Sequence, residues 1–444
     1  MPRAAEWTRQ RVRVSLVGVG GGSIRTVALA AVIGTALMLG VPVQAGHESP
    51  HTTLTSIGNS GPAVAGSSST FWRSLSANGR KAVFSVDDDA LPGADGTTDV
   101  YLRDLRRHRT ILVSRNSSGA PANDDSSDDE SISGSGRFVA FVSGADNLPG
   151  GVGGIFVRDL KKGKTELASK TTGGTPAAYD GDLRYPDLSA EGRFVSFQVN
   201  DDDLPGADGT SDVYVRDREQ DKLVLASQTS DGQPVDDDAG TPTISGNGRF
   251  VGFQSSSDLL PGDDATGDVF LRNLKKKITV LVSREPDGDP ASFSFTNAGC
   301  VSANGRFVAF ESDAPGIGAD PGGSIYIRDR KERTTMLASR QGGGDPASAD
   351  TQSISANGRY VAFESTDDDL AGTDATTDVD RFYSKTEKTI LLSRAKNGDP
   401  ADDDAFYVSI SAGGAYAAFT SRADNLSNKD DNAYSNTFVR GPLP

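Results

Sequence analysis

A chain of 444 residues with a formal charge of −16 is long enough for a large buried core, and its acidity argues against gripping nucleic-acid phosphates, which takes clustered Lys and Arg. Its single cysteine, Cys300, excludes an intrachain disulfide. Its three histidines, His47, His51 and His108, leave little from which to build a Ser-His-Asp triad or a histidine-ligated metal centre.

Residues 1–45 stand apart. Arg3, Arg9, Arg11, Arg13 and Arg25 make a basic start, 27–41 is an uncharged apolar run, and Pro42-Val43-Gln44-Ala45 has the form of a small-residue cleavage site. This is the pattern of a secretory signal peptide. The run falls short of the roughly 20 residues that span a bilayer, so cleavage is favoured over an anchor helix. The expected product is a secreted or cell-envelope protein of residues 46–444, monomeric and with no membrane span.

From there on the chain repeats. Ser133-Gly134-Ser135-Gly136-Arg137-Phe138-Val139-Ala140-Phe141 has six counterparts, at Gly79, Gly192, Gly248, Gly305, Gly358 and Gly414, spaced by 57, 56, 56, 57, 53 and 56 residues. Each unit reads as four short strands. A first strand such as Ser131-Ile132-Ser133 meets a tight glycine turn, then a second strand such as 137–141. Its apolar residues point both ways, so both faces must be covered. An acidic loop such as 87–99 leads to a third strand, Val100-Tyr101-Leu102-Arg103-Asp104. A basic turn, 106–109, leads to a fourth, Ile111-Leu112-Val113-Ser114. Four antiparallel strands per unit without helical segments describe a propeller blade.

The ends settle the count. The third strand recurs a seventh time as Thr437-Phe438-Val439-Arg440, with no fourth strand after it, while Thr53-Leu54-Thr55-Ser56 near residue 46 matches a fourth strand. The expectation is an all-β, seven-bladed propeller whose last blade is completed by the N-terminal strand, leaving no open seam. Cys300 stands where other units have Ser74, Ser131, Asp187, Thr243, Ser353 and Ser409, and reads as a small, half-buried strand residue.

The Ser-x-x-Gly-Arg-Phe-Val-Ala-Phe unit followed by Asp-Val-Tyr-Val-Arg-Asp resembles the WD-like repeat of TolB-type propellers. The resemblance covers essentially all of residues 46–444. It implies a fold strongly and a role in the envelope only by analogy.

A four-stranded meander sends alternate connections to opposite rims. One rim should be acidic and long-looped, with Asp at 87–89, 124–125, 201–203, 236–238, 367–369 and 402–404. The other carries Lys161-Lys162, Lys275-Lys276-Lys277, Arg330-Lys331 and Lys385. Long loops on a rigid scaffold are where binding usually sits; solvated turns are the plainer reading.

No cofactor is expected, with calcium as the one candidate. Its ligands would be the pairs Asp95/Asp99, Asp208/Asp212, Asp264/Asp268 and Asp374/Asp378, because hard cations want clustered carboxylates on turns. Blades 2 and 5 lack the pair, and Asp in turns also bonds its own backbone. A unique site should appear where the copies differ. One such place is Val379-Asp380-Arg381-Phe382-Tyr383, a bulged edge or a private salt bridge. Another is the acidic mouth of the channel, with Trp72, Arg73, Arg184, Tyr185, Phe295 and Tyr407. Aromatics and arginines around a concave mouth suit a sugar or a peptide, unless they plug the channel as core. The reading is a non-catalytic module for an envelope or extracellular protein or glycan. The alternative is a carbohydrate-active enzyme using Asp carboxylates.

Overall fold

In the computed structural model of the chain, the alternating large and small residues lie on strands that come in fours. The structure describes residues 50–444 apart from 60, 62, 89, 127–128, 180–182, 258, 261–266, 286–287, 290–298, 318–321, 341–343, 368–369, 371–375 and 431–433. The leader 1–45, Asp264, Phe295 and Asp374 therefore lie outside the described residues.

The first blade is made by Ser68–Ser69, Lys81–Val86, Asp99–Asp104 and Arg109–Leu112, antiparallel throughout. Five further blades of the same order begin at Ser131, Arg184, Ala239, Cys300 and Ala349. The seventh is Ala405–Ile410, Ala417–Ser421 and Asn436–Gly441, and its fourth strand is His51–Leu54, with Thr52 opposite Arg440. The ring is closed by the N-terminal strand. Among the described residues, helix is limited to two short 3-10 turns.

The repeated motif explains itself locally. In every first-to-second-strand turn a serine hydroxyl accepts the N–H of the residue five positions on, as Ser189 does from Phe194 at 3.0 Å. The glycine between them is left-handed because the chain must reverse there and because no Cβ fits. At Gly192 (φ +70) an added Cβ would lie 2.4 Å from Phe138 of the preceding blade. The aromatic that opens each second strand thus tucks under the next blade's glycine. In blade 1 that aromatic is replaced by Lys81, whose flexible stem lies under Gly136.

Backbone bonds then run once around the ring. Ala77, Ser135, Ala190, Asn247, Ala303, Ala356 and Ala412 donate to the carbonyls of Gly134, Ala190, Gly246, Ala303, Ala356, Ala412 and Ala77. A second belt is made of buried arginines of the third strands. Arg158 Nη1 donates to the carbonyls of Arg115 and Asn116 in the preceding blade and to Thr165 on its own fourth strand. Arg103, Arg216, Arg272, Arg328 and Arg440 bond the preceding blade in the same way. Arg103 reaches Gly58, just beyond the closing strand, so the seam between the last and first blades is bonded like the others.

The core lies between blades. Val83, Val100 and Leu102 of blade 1, for example, pack against Ile132, Val139 and Phe141 of blade 2. Within blades, the second and third strands oppose two rings, such as Phe141 and Phe156 with centroids 5.8 Å apart. Fully burying such rings contributes about 1.5–3 kcal/mol each, which makes every blade boundary a substantial part of the total.

Candidate functional site

The seven first strands line an axial channel, and its acidic-loop end is closed by rings. Phe71 and Trp72 of blade 1 stack with centroids 4.6 Å apart, Tyr185 of blade 3 stacks on both at 5.9 and 6.0 Å, and Tyr407 of blade 7 lies 6.5 Å from Phe71. Tyr185 (φ 55) and Tyr407 (φ 56) occupy bulges in their strands, with Thr241 (φ 45) and Thr351 (φ 39) at the same place in blades 4 and 6. A left-handed residue in a bulge re-aims its side chain, and here it turns tyrosines of two blades towards the axis.

Arg73 crosses the channel beneath the rings. Its Nε lies 3.5 Å from Asp187 of blade 3, and its terminal nitrogens donate to the carbonyls of Ile244 and Val301 in blades 4 and 5 at 3.3 Å. Asp187 is buried, and its Oδ2 also accepts the N–H of Ile244 at 2.6 Å. Burial pushes its carboxyl up, and the Arg73 guanidinium opposes that shift. Below Arg73 the lumen has a volume of about 100 Å³ and a wall of small residues such as Ala77, Gly134 and Ala190. Cys300 is fully buried; its Sγ meets the carbonyl of Gln352 at 2.9 Å, and burial pushes the thiol up to about 11. The half-buried position expected for it is instead core, because the strand is covered from both sides.

Trp72, Arg73, Tyr185 and Tyr407 are thus brought together. Arg184 is exposed beside them. The rim around them is acidic, and Asp124, Asp202, Asp237 and Asp403 are among its exposed carboxylates. The second- and fourth-strand loops share this rim, since Thr98 donates its N–H to Asp125 at 2.8 Å and Ser211 donates to Asp238 at 2.8 Å.

The aspartates of the four pairs separate by position. Asp95 and Asp208 are exposed and accept the hydroxyls of Thr97 and Thr210 at 2.7 Å, as turn residues do. Asp99, Asp212, Asp268 and Asp378 are buried at the head of the third strand, where each accepts a serine hydroxyl at 2.5–2.6 Å, from Ser114, Ser227, Ser283 and Ser393. Burial pushes Asp99 and Asp212 up to about 7, against the bonds from those serines. Among the described residues, no three His, Cys, Asp or Glu side chains cluster closely enough to hold a metal ion.

One group escaped the sequence reading. Glu364, on the second strand of blade 6, is buried and accepts the N–H of Tyr407 at 2.5 Å. Burial, then the Asp350 carboxylate, push it up to about 8. It shares a cleft of about 290 Å³ with Asp350, Asp404 and Phe406, beside the rings. A signal existed: the same position reads Ser85, Val142, Gln198, Gln254, Glu311, Glu364 and Thr420 around the ring, and Gln198 and Thr420 also accept an N–H from the next blade. In blade 6 the register of Val379-Asp380-Arg381-Phe382-Tyr383 runs without a bulge. Arg381 stacks over Tyr360 and donates to the carbonyls of Gly414 and Pro444, so its bonds go to backbone rather than to a private carboxylate.

No family model and no curated relative matches the chain. Among solved structures it is similar to oligogalacturonate lyase from Vibrio parahaemolyticus, at 13% identity over 88% of this chain and 96% of that one, with a TM-score of 0.53. It is also similar to the β-propeller domain of the trilobed protease from Pyrococcus furiosus, at 10% identity over 84% and 95%, with a TM-score of 0.53. TolB from Acinetobacter baumannii matches at 11% identity over 83% and 81%, with a TM-score of 0.41. At these identities the likeness is one of fold: the chain is a seven-bladed β-propeller.

Proposed function

We propose that the propeller is an exported, non-catalytic binding module that takes an envelope or extracellular protein or glycan over the acidic mouth of its channel. The observation that carries this reading is the ring cluster of Phe71, Trp72, Tyr185 and Tyr407, gathered from three blades and left part-exposed inside a charged rim. Rigid aromatics at the centre of a polar rim are the composition of an interface that pairs by stacking and burial. Arg73 and Asp187 hold the floor, so the platform is preorganised.

The chain contains two tryptophans, Trp7 and Trp72, so a Trp7→Phe variant reports from the mouth alone. Its emission should shift on titration with a member of a panel of oligosaccharides and cationic peptides, and Tyr407→Ala should weaken that response about tenfold. A panel that leaves Trp72 emission unchanged throughout would remove the reading. Calcium belongs to the proposal only as a ligand of the exposed carboxylates such as Asp95 and Asp208; a melt raised by calcium and lowered by EDTA would support it, and an unchanged one would return them to turn chemistry.

Glu364 favours a second reading. A carboxyl held protonated to about pH 8 beside Asp350 in a cleft is the arrangement of a general acid next to a carboxylate, as carbohydrate-active enzymes use. Turnover of an acidic or neutral glycan that vanishes in Glu364→Gln would replace the binding reading with this one.

A further inference from the structure

The rim opposite the acidic loops carries a second candidate, and a break in the repeat produces it. In blades 2 to 5 the arginine that opens the second strand lies over the aromatic that follows it, as Arg137 lies 4.7 Å from the Phe138 centroid. In blades 2, 3 and 5 it also makes a two-pronged pair with the aspartate that ends the third strand, as Arg193 does with Asp217 at 2.9 and 2.6 Å. Both partners are lost to Arg80. The aromatic is Lys81, whose Nζ donates to the carbonyl of Gly136 at 2.6 Å. The aspartate is Asp104, and Arg107 holds it through its N–H and its side chain at 3.0 and 2.9 Å.

The consequence is a cleft of about 310 Å³ lined by Arg80, Lys81, Arg106, Arg107 and Asp104. The turn beside it continues with His108 and Arg109, both exposed. Arg80, Arg106 and Arg109 make no ion pair among the described residues. In the other complete blades the turn is shorter of charge or mixed in sign, as in Glu219-Gln220-Asp221-Lys222, or purely lysine, as in Lys275-Lys276-Lys277. Guanidinium groups without carboxylate partners around a concavity are suited to two-pronged recognition of oxyanions, which lysines meet only as point charges.

We propose that this cleft on blade 1 binds a compact ligand bearing two or more phosphate or carboxylate groups. A compact ligand is favoured over a long polyanion because the basic side chains converge on one cleft of about 310 Å³, and at moderate ionic strength their charge is felt over only about 10 Å. The ligand is held by Arg80 and Arg106, with Lys81 at the floor and Arg107 occupied by Asp104. The site is separate from the ring cluster and stands whether or not the reading of that mouth holds.

The test is calorimetric titration of the full chain with tripolyphosphate and, separately, citrate at low ionic strength. Saturable binding of either is expected, and which one binds tells phosphate from carboxylate. Arg80→Gln with Arg106→Gln should weaken it at least about tenfold, the loss of two charge-assisted contacts. Lys81→Phe restores the residue type of the other blades and should weaken it likewise by filling the cleft, with a melting temperature no lower than the parent's. Lys275→Gln with Lys276→Gln, on blade 4, should change it by less than about twofold. Absence of saturable binding of both anions overturns the proposal. So does equal loss in the blade 1 and blade 4 variants, which would mean attraction to basic turns in general.

Discussion

The two ends of the channel are built from the same seven strands and have opposite characters. At the glycine-turn end, every blade repeats one device: a serine hydroxyl caps the turn, a left-handed glycine sits over the preceding blade's second strand, and backbone bonds pass around the ring. At the acidic-loop end the loops share turn chemistry, but the groups that close the channel mouth do not repeat. Rings enter from blades 1, 3 and 7, an arginine from blade 1 reaches blades 3, 4 and 5, and a buried glutamate serves blade 7 from blade 6. The contrast separates residues that close the ring from residues that distinguish this propeller from others of its fold. What recurs is needed at every boundary; what occurs once answers to something with no sevenfold symmetry.

That comparison can be broken most sharply at the mouth. Arg73→Met leaves the Asp187 carboxylate buried without its cation and should cost about 3–5 kcal/mol in urea unfolding. Asp187→Ser in the same chain installs the residue found at Ser131 and Ser353 and should recover most of it. If Arg73→Met alone proves neutral, the charge pair is not what holds the floor.

The opposite end offers a matched pair. Gly192→Ala and Gly136→Ala impose similar backbone strain, at φ +70 and +66. The first also drives a methyl into the Phe138 ring, and the second meets the flexible Lys81 stem at 3.0 Å and Ser76 Cβ at 3.3 Å. About 3 kcal/mol is expected for Gly192→Ala against about 1 for Gly136→Ala. Equal losses would show that strain alone selects the glycine.

A third effect is on pH dependence. Asp99 and Asp212 are raised to about 7 in the folded chain, from 3.8. The folded state therefore holds their protons more tightly than the unfolded state does. The stability they contribute is complete below about pH 4 and is lost as the pH rises to about 7. Glu364, raised to about 8, extends the fall upward. The urea midpoint should be higher at pH 5 than at pH 8, and Asp99→Asn with Asp212→Asn should narrow the difference without abolishing it. A double variant with the parent's full difference would place the titration elsewhere.

The repeat made the glycine-turn end legible in advance. A period near 56, a serine three residues before each glycine and, in all blades but the first, an aromatic two after it specify strand, turn and strand, because the turn's bonds are between near neighbours in the chain. The missing fourth strand at one end and the spare one at the other specified the closure, because an unpaired outer strand is the partner an incomplete blade lacks. The ring cluster was partly legible: Trp72, Tyr185 and Tyr407 share an offset from their strands, which pointed to one layer, though not to stacking across blades.

What remained hidden was the partner of each singular residue. Arg73 and Asp187 are separated by two blade lengths of sequence, Glu364 and Tyr407 by most of one, and the loss of Arg80's partners depends on what Arg107 does with Asp104. Composition and period determined that this chain is a seven-bladed ring with one acidic rim. Closing that ring decided which unlike residues face one another, because contacts across a channel depend on the angle between blades, and the chain carries that angle only through the summed packing of all seven.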